Sequence, residues 1–178
     1  WNGRMSKNKR TYEHYRSLGK PVVVIDAGAL EREVTWKIAV NNITSEGYYG
    51  HTDNLDWDRP AKLGISLGQT DLKDAILIAG QHDKSLQWEG MPDLGTYAVE
   101  TIRRVQKYTD RPIVMRFHPR CQPFIPHHRF KMLLQNENIY NCDIEIPKPV
   151  VNTYDVFDID YAFHTVINHC SGPGINAV

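Results

Sequence analysis

An α/β fold, with a parallel sheet flanked by helices, is what this chain of 178 residues predicts, on three observations. From Asp74 onward, short apolar runs alternate with segments of helical period: "DAILIAGQ", "GTYAVETIRRVQKYT", "RPIVMRFHP", "IPHHRFKMLLQN". The longest periodic segment places Tyr97, Ala98, Ile102 and Val105 on one helical face. The chain then closes on a further apolar run, "HTVINHCS", followed by a glycine turn. Alternation of this kind builds a Rossmann-like parallel sheet flanked by helices.

Each element follows in order. Residues 1–20 are polar and basic, with Tyr12, Tyr15 and Leu18 at helical spacing, so a short amphipathic helix is expected there. Gly19 is its stop, and Lys20–Pro21 begins the next element. "PVVVIDAG" is a β-branched run ended by glycine, which predicts a buried strand. "TWKIAVNNI" fits strand or helix. Residues 44–72 are rich in Gly, Asp, Asn and Pro and read as a long irregular segment, a feature that in compact domains usually either serves a function or conceals an element the pattern does not reveal. "NCDIEI" reads as a strand and "TYDVFDIDYAF" as a helical turn or two. Two regions result. Residues 1–73 form a partial N-terminal region without an assigned fold. Residues 74–178 read as a Rossmann-like domain, expected to be truncated at its C-terminus because "SGPGINAV" ends one turn into a helix that cannot stand at that length.

Composition narrows the function classes. Apolar residues are 41% and charged residues 24% of the chain, as in ordinary soluble domains. The 21 Lys and Arg balance the 21 Asp and Glu, so the basic excess of a nucleic-acid-binding protein is missing. Three cysteines, Cys121, Cys142 and Cys170, stand far apart with no CxxC pair, which suits a reducing compartment. No apolar run is long enough to span a bilayer, and no signal-peptide pattern opens the chain. A soluble cytoplasmic protein without membrane partners is the expectation. An uncovered last strand would make the isolated chain associate into a homo-oligomer.

In open α/β sheets, ligands bind outside the carboxyl ends of the strands. Four stretches there carry chemistry: Asp26–Ala29, Gln81–Ser85, His118–Arg120 and His169–Gly174. In "SGPG", Gly172 and Gly174 permit a tight turn and close approach of a ligand, and Ser171 adds a hydroxyl. The helix that follows would aim free N–H groups at an anion. The plain alternative is a strand-to-helix turn capped by Ser171. In "RFHPR", Pro119 ends the strand, His118 is an acid, base or phosphate donor, and Arg120 is a phosphate fork; the alternative is a solvated strand end. "AGQHDKS" crowds Gln81, His82, Asp83, Lys84 and Ser85 into one loop, where Lys84 could reach a phosphate; the alternative is a solvated loop with an Asp–Ser cap. A zinc set of His118, Cys121, His127 and His128 is disfavoured, because adjacent histidines rarely give tetrahedral geometry. Neither GxSxG nor GxGxxG is present.

A strand ending in "HPR", followed about fifty residues later by one ending in "NHCSGPGINAV", resembles the donor-binding half of GT-B glycosyltransferases. The nearest likeness is to bacterial sialyltransferases and capsule-type Kdo transferases, and to uncharacterised phage and environmental proteins of that type. The resemblance covers residues from about Asp74 onward. It implies that His118 and Pro119 match a His–Pro motif facing the donor's phosphate, and that Ser171 matches the serine motif. The resemblance extends by neighbourhood to Arg120, Gly172 and Gly174, while His118 as the catalytic acid and Lys84 and Gln81 at the donor phosphate are readings of the residues themselves. It also implies an acidic base in the N-terminal region, for which Asp26 in "VIDAG" is the nearest residue. The implied substrates are a nucleotide-sugar donor and an unknown acceptor, with no metal or other cofactor. A non-catalytic nucleotide- or sugar-phosphate-binding domain, or a structural or virion-associated protein that keeps the fold, are the alternatives.

Overall fold

The computed structural model describes residues 7–28, 34–51, 53, 55–64, 73–118, 127–146, 162–170, 172 and 174. They fall into two compact units: Trp1–Gln69 together with Ser85–Gln87, and Thr70–Lys84 together with Trp88–Ala177.

The first unit opens with helix α1, Lys7–Ser17. It ends where the sequence places its stop. Gly19 takes φ +68°, its N–H donates to the Arg16 carbonyl, and the Lys20 N–H donates to the Tyr15 carbonyl. That pair of bonds satisfies the last free carbonyls of the helix, and the left-handed φ is one glycine adopts without strain. Strands β1, Val23–Ala27, and β2, Trp36–Val40, form an antiparallel pair with Ile25 opposite Ile38 and Asp26 opposite Lys37. "TWKIAV" is therefore a strand.

The β1 run is less buried than its β-branched composition predicts. Val24 and Ala39 face a small core with Ile43, backed by Tyr12, Val22 and Leu86. Val23 and Ile25 remain 61% and 53% exposed, because a two-stranded sheet covers one face only. After β2 the chain runs through turns to one helical turn, α2, at Arg59–Lys62. Residues 65–72, the rest of the expected irregular segment, lie outside the described residues.

The second unit is a four-stranded, wholly parallel sheet flanked by helices, a Rossmann-like α/β fold. Its strands are β3, Lys73–Ala79; β4, Ile113–Arg116; β5, Cys142–Glu145; and β6, Phe163–Asn168. Helix α3, Leu94–Gln106, joins β3 to β4, and helix α4, His127–Asn136, joins β4 to β5. Both pack on one face. Ile76, Ile78, Ile113 and Met115 of the sheet meet Ala98, Val99, Ile102 and Val105 of α3 and Phe130 and Leu134 of α4. The other face buries Leu77 and Phe163, backed by Ala75, Val114 and Val166. Burying each such aliphatic side chain is worth about 1.5–3 kcal/mol, so this double-sided core dominates the unit's stability.

The strand order is β5-β4-β3-β6. The chain moves outward from β3 to β5, then returns to lay β6 on the other side of β3. Among the described residues β6 is thus an edge strand, and His164 and Thr165 on it are exposed where the sequence predicts a buried run. An edge strand has a neighbour on one side only, so its apolar contacts are fewer. Residues 147–161, which contain most of the segment read as a helical turn, lie outside the described residues.

Candidate functional site at the reversal of strand order

A parallel sheet whose strand order reverses leaves a crevice at the carboxyl ends of the strands beside the reversal, where loops diverge to opposite sides. Here that point lies between β3 and β6. Register aligns the three strand ends. Ala79 of β3 is opposite Arg116 of β4 and opposite Asn168 of β6. Two residues further along each chain segment come Gln81, His118 and Cys170. The fold therefore gathers the first residues of three of the four stretches singled out in the sequence, Gln81, His118 and His169, at the carboxyl end of one sheet.

The loop after β3 begins with Gly80, whose N–H donates to the Arg116 carbonyl at 2.7 Å. That bond carries the β3–β4 pairing one residue past the strand. Gln81 is buried, at 8% exposure. The His82 ring packs edge-on against the His118 ring, centroids 5.1 Å apart and planes at 89°. Lys84 is exposed, and its backbone N–H donates to His82 Nδ1 at 3.0 Å. His118 is half-buried at the end of β4.

Behind His118, Arg116 is 3% exposed, and its Nε donates to Glu145 Oε1 at 3.0 Å. Arg116 escapes sequence reasoning because "IVMRF" reads as an apolar strand with one interruption. Its signal was there: an arginine inside a buried strand run needs a carboxylate partner.

At the end of β6, Gly172 and Gly174 have helical backbone. A Cβ on Gly174 would overlap the side-chain amide of Asn168. Glycine at this position thus makes room for the protein's own Asn168. His169 packs edge-on against Trp88 at 5.5 Å. Trp88 is 3% exposed, donates from Nε1 to the Pro92 carbonyl at 2.9 Å, and also meets the Tyr97 ring at 4.9 Å. Trp88 thereby ties the β3–α3 loop to the end of β6 across the reversal point. Sequence reasoning missed it, although a tryptophan inside a polar loop such as "SLQWEG" has to bury its ring somewhere.

The N-terminus of α3 is already satisfied. The Asp93 carboxylate accepts from the Gly95 and Thr96 N–H groups. The Thr96 hydroxyl, then the Thr96 N–H, hold that carboxyl below its ordinary range. An incoming anion would meet a fixed negative charge there, so the β6 turn is the better-suited end of the crevice.

Asp26 belongs to the first unit's hairpin, where it lies opposite Lys37 and its Oδ1 accepts from the Ala27 N–H at 3.0 Å. Arg120 and Ser171 lie outside the described residues, as does Cys121. Among the described residues, no three His, Cys, Asp or Glu side chains form a metal-ligand group. No described helix is long and apolar enough to cross a membrane. Comparison with protein-family models, with curated proteins and with solved structures finds no match for this chain.

Proposed function

We propose that this chain binds the nucleotide-sugar donor of a GT-B-type glycosyltransferase and takes part in transferring the sugar to an acceptor. One observation carries the reading: His118 and the Gly172–Gly174 turn lead off parallel strands that flank β3, at the reversal of strand order. Nucleotide phosphates bind at such points in sheets of this kind.

As the bond from the sugar to the donor phosphate breaks, negative charge grows on the phosphate oxygen. Preorganised donors and cations offset that charge without having to reorganise. Backbone N–H groups of the β6 turn, Arg120 and Lys84 supply them in this proposal, and Gln81 adds an amide. His118 passes a proton to the departing oxygen. The acceptor hydroxyl loses its proton to an acidic base, for which Asp26 remains the candidate.

A non-catalytic nucleotide- or sugar-phosphate-binding domain is the second reading. It is favoured by the sequence of residues 1–73, which offers no clear acidic base beyond Asp26.

The test is a thermal-shift and calorimetry series with CMP, UDP, GDP and their sugars. A nucleotide at a hundred times its Kd stabilises the protein by about 2.7 kcal/mol. Replacing Arg120 with Ala weakens binding about ten- to hundredfold, the loss of one charge-assisted bond. Sugar transfer by the wild type and its loss in His118→Ala separates enzyme from binder. A chain that no nucleotide stabilises is neither, and the structural reading then stands.

A further inference from the structure

The His82–His118 pair goes beyond the residues assigned above. Its rings meet edge to face at 5.1 Å, on loops leaving adjacent parallel strands. The state of the His82 ring is fixed by its neighbours. Its Nδ1 accepts the Lys84 backbone N–H at 3.0 Å, so that nitrogen carries a lone pair and the neutral ring holds its proton on Nε2. Asp83 Oδ1 lies 3.8 Å from the same Nδ1. A proton arriving at Nδ1 breaks the Lys84 bond and turns that nitrogen into a donor beside a carboxylate.

We propose that His82 is a positioning residue for His118: it holds the His118 ring in place, and its own protonation resets that placement by moving Nδ1 from Lys84 to Asp83. The inference rests on the reading of His118 as the acid, and adds a residue that determines how that acid is presented. The edge-to-face contact fixes the orientation of both rings. Other charged groups on the elements beside the pair are Arg116, on the strand that leads to His118, its partner Glu145 on β5, and Lys84 itself. His169, at the end of β6, is turned to Trp88.

The test follows the His118 ring by NMR from pH 5 to 9 in wild type, His82→Ala and His82→Phe, each first shown to be folded by its amide spectrum. In His82→Ala the His118 ring resonances move, because the edge-to-face partner is gone. In His82→Phe the ring resonances stay near wild type, because an aromatic edge remains, while the influence of His82 protonation disappears. Where sugar transfer is measurable, His82→Ala lowers turnover about two- to tenfold, the loss of one ring pair, and His82→Phe alters the pH profile instead. If His118 titrates identically in all three proteins, the proposal is overturned. Should His82→Ala not fold, wild type against His82→Phe decides, and identical titration there overturns it equally. The NMR arm needs no donor or acceptor, so it stands or falls apart from the transferase reading.

Discussion

Arg116 and Glu145 face each other across the β4–β5 register and are joined Nε to Oε1 at 3.0 Å, with Arg116 3% exposed and the Glu145 side chain about a third exposed, at 34%. A buried guanidinium stripped of its carboxylate keeps its desolvation cost and loses part of its compensation. Glu145→Ala should destabilise the second unit by ~1–3 kcal/mol, less than for a fully buried pair because water reaches Glu145. A double-mutant cycle with Arg116→Ala in urea should return a positive coupling. Additive effects would mean that the pair does not hold β4 to β5.

Ile102 sits at 0% exposure between α3 and the sheet. Ile102→Ala should cost ~2–5 kcal/mol, the lost transfer energy plus the cavity left behind. Met132→Ala on α4, where Met132 is 58% exposed, should stay within about 0.5 kcal/mol. Denaturant midpoints of the two variants check the contrast.

Gly174→Ala should displace the Asn168 side chain, because a Cβ there would overlap its amide. Overpacking of this kind costs ~1–3 kcal/mol. The Asn168 side-chain amide resonances should shift, and nucleotide affinity should fall if the turn takes part in binding. Unchanged Asn168 resonances would contradict the described packing.

Asp93 caps α3, and its carboxyl is held below its ordinary value of 3.8, first by the Thr96 hydroxyl. Asp93→Ala should cost about 1 kcal/mol at neutral pH. The sign of the pH dependence follows from linkage. Near and below 3.8 the unfolded chain binds the proton more readily than the folded one, so stability rises with pH through that region. The cap's contribution is complete above the ordinary carboxylate range and fades as pH falls through the lowered folded value. Unfolding curves of wild type and Asp93→Ala should therefore converge in acid.

Cys142 and Cys170 should differ in reactivity. Burial, then the neighbouring Asp143 charge, push the Cys142 thiol up to about 12, so its thiolate is scarce at neutral pH. Cys170 is exposed. Iodoacetamide mapped by mass spectrometry should label Cys170 well ahead of Cys142. Equal labelling would mean that β5 opens far more readily than its packing implies.

The sequence by itself determined which segments become strands and helices in the second unit. Runs such as "AILIA" and "IVMRF" and the spacing of Ala98, Ile102 and Val105 are local patterns, and local patterns fix element type. It also determined the α1 stop at Gly19, because a left-handed residue is a local requirement. It drew attention to His118, Gln81 and the Gly172–Gly174 turn, since each follows a strand. Only the tertiary structure decided that these residues share one edge beside the reversal of strand order. Strand order depends on pairing between segments as far apart as Ile78 and Ile167, and no local pattern encodes it. The same holds for the Arg116–Glu145 pair, for Trp88 against His169, and for His82 against His118. Each joins side chains whose meeting is set by sheet register rather than by spacing along the chain. The exposed face of β1 belongs here too. A β-branched run states that a strand forms, but how many of its faces are covered depends on what the rest of the chain lays against it.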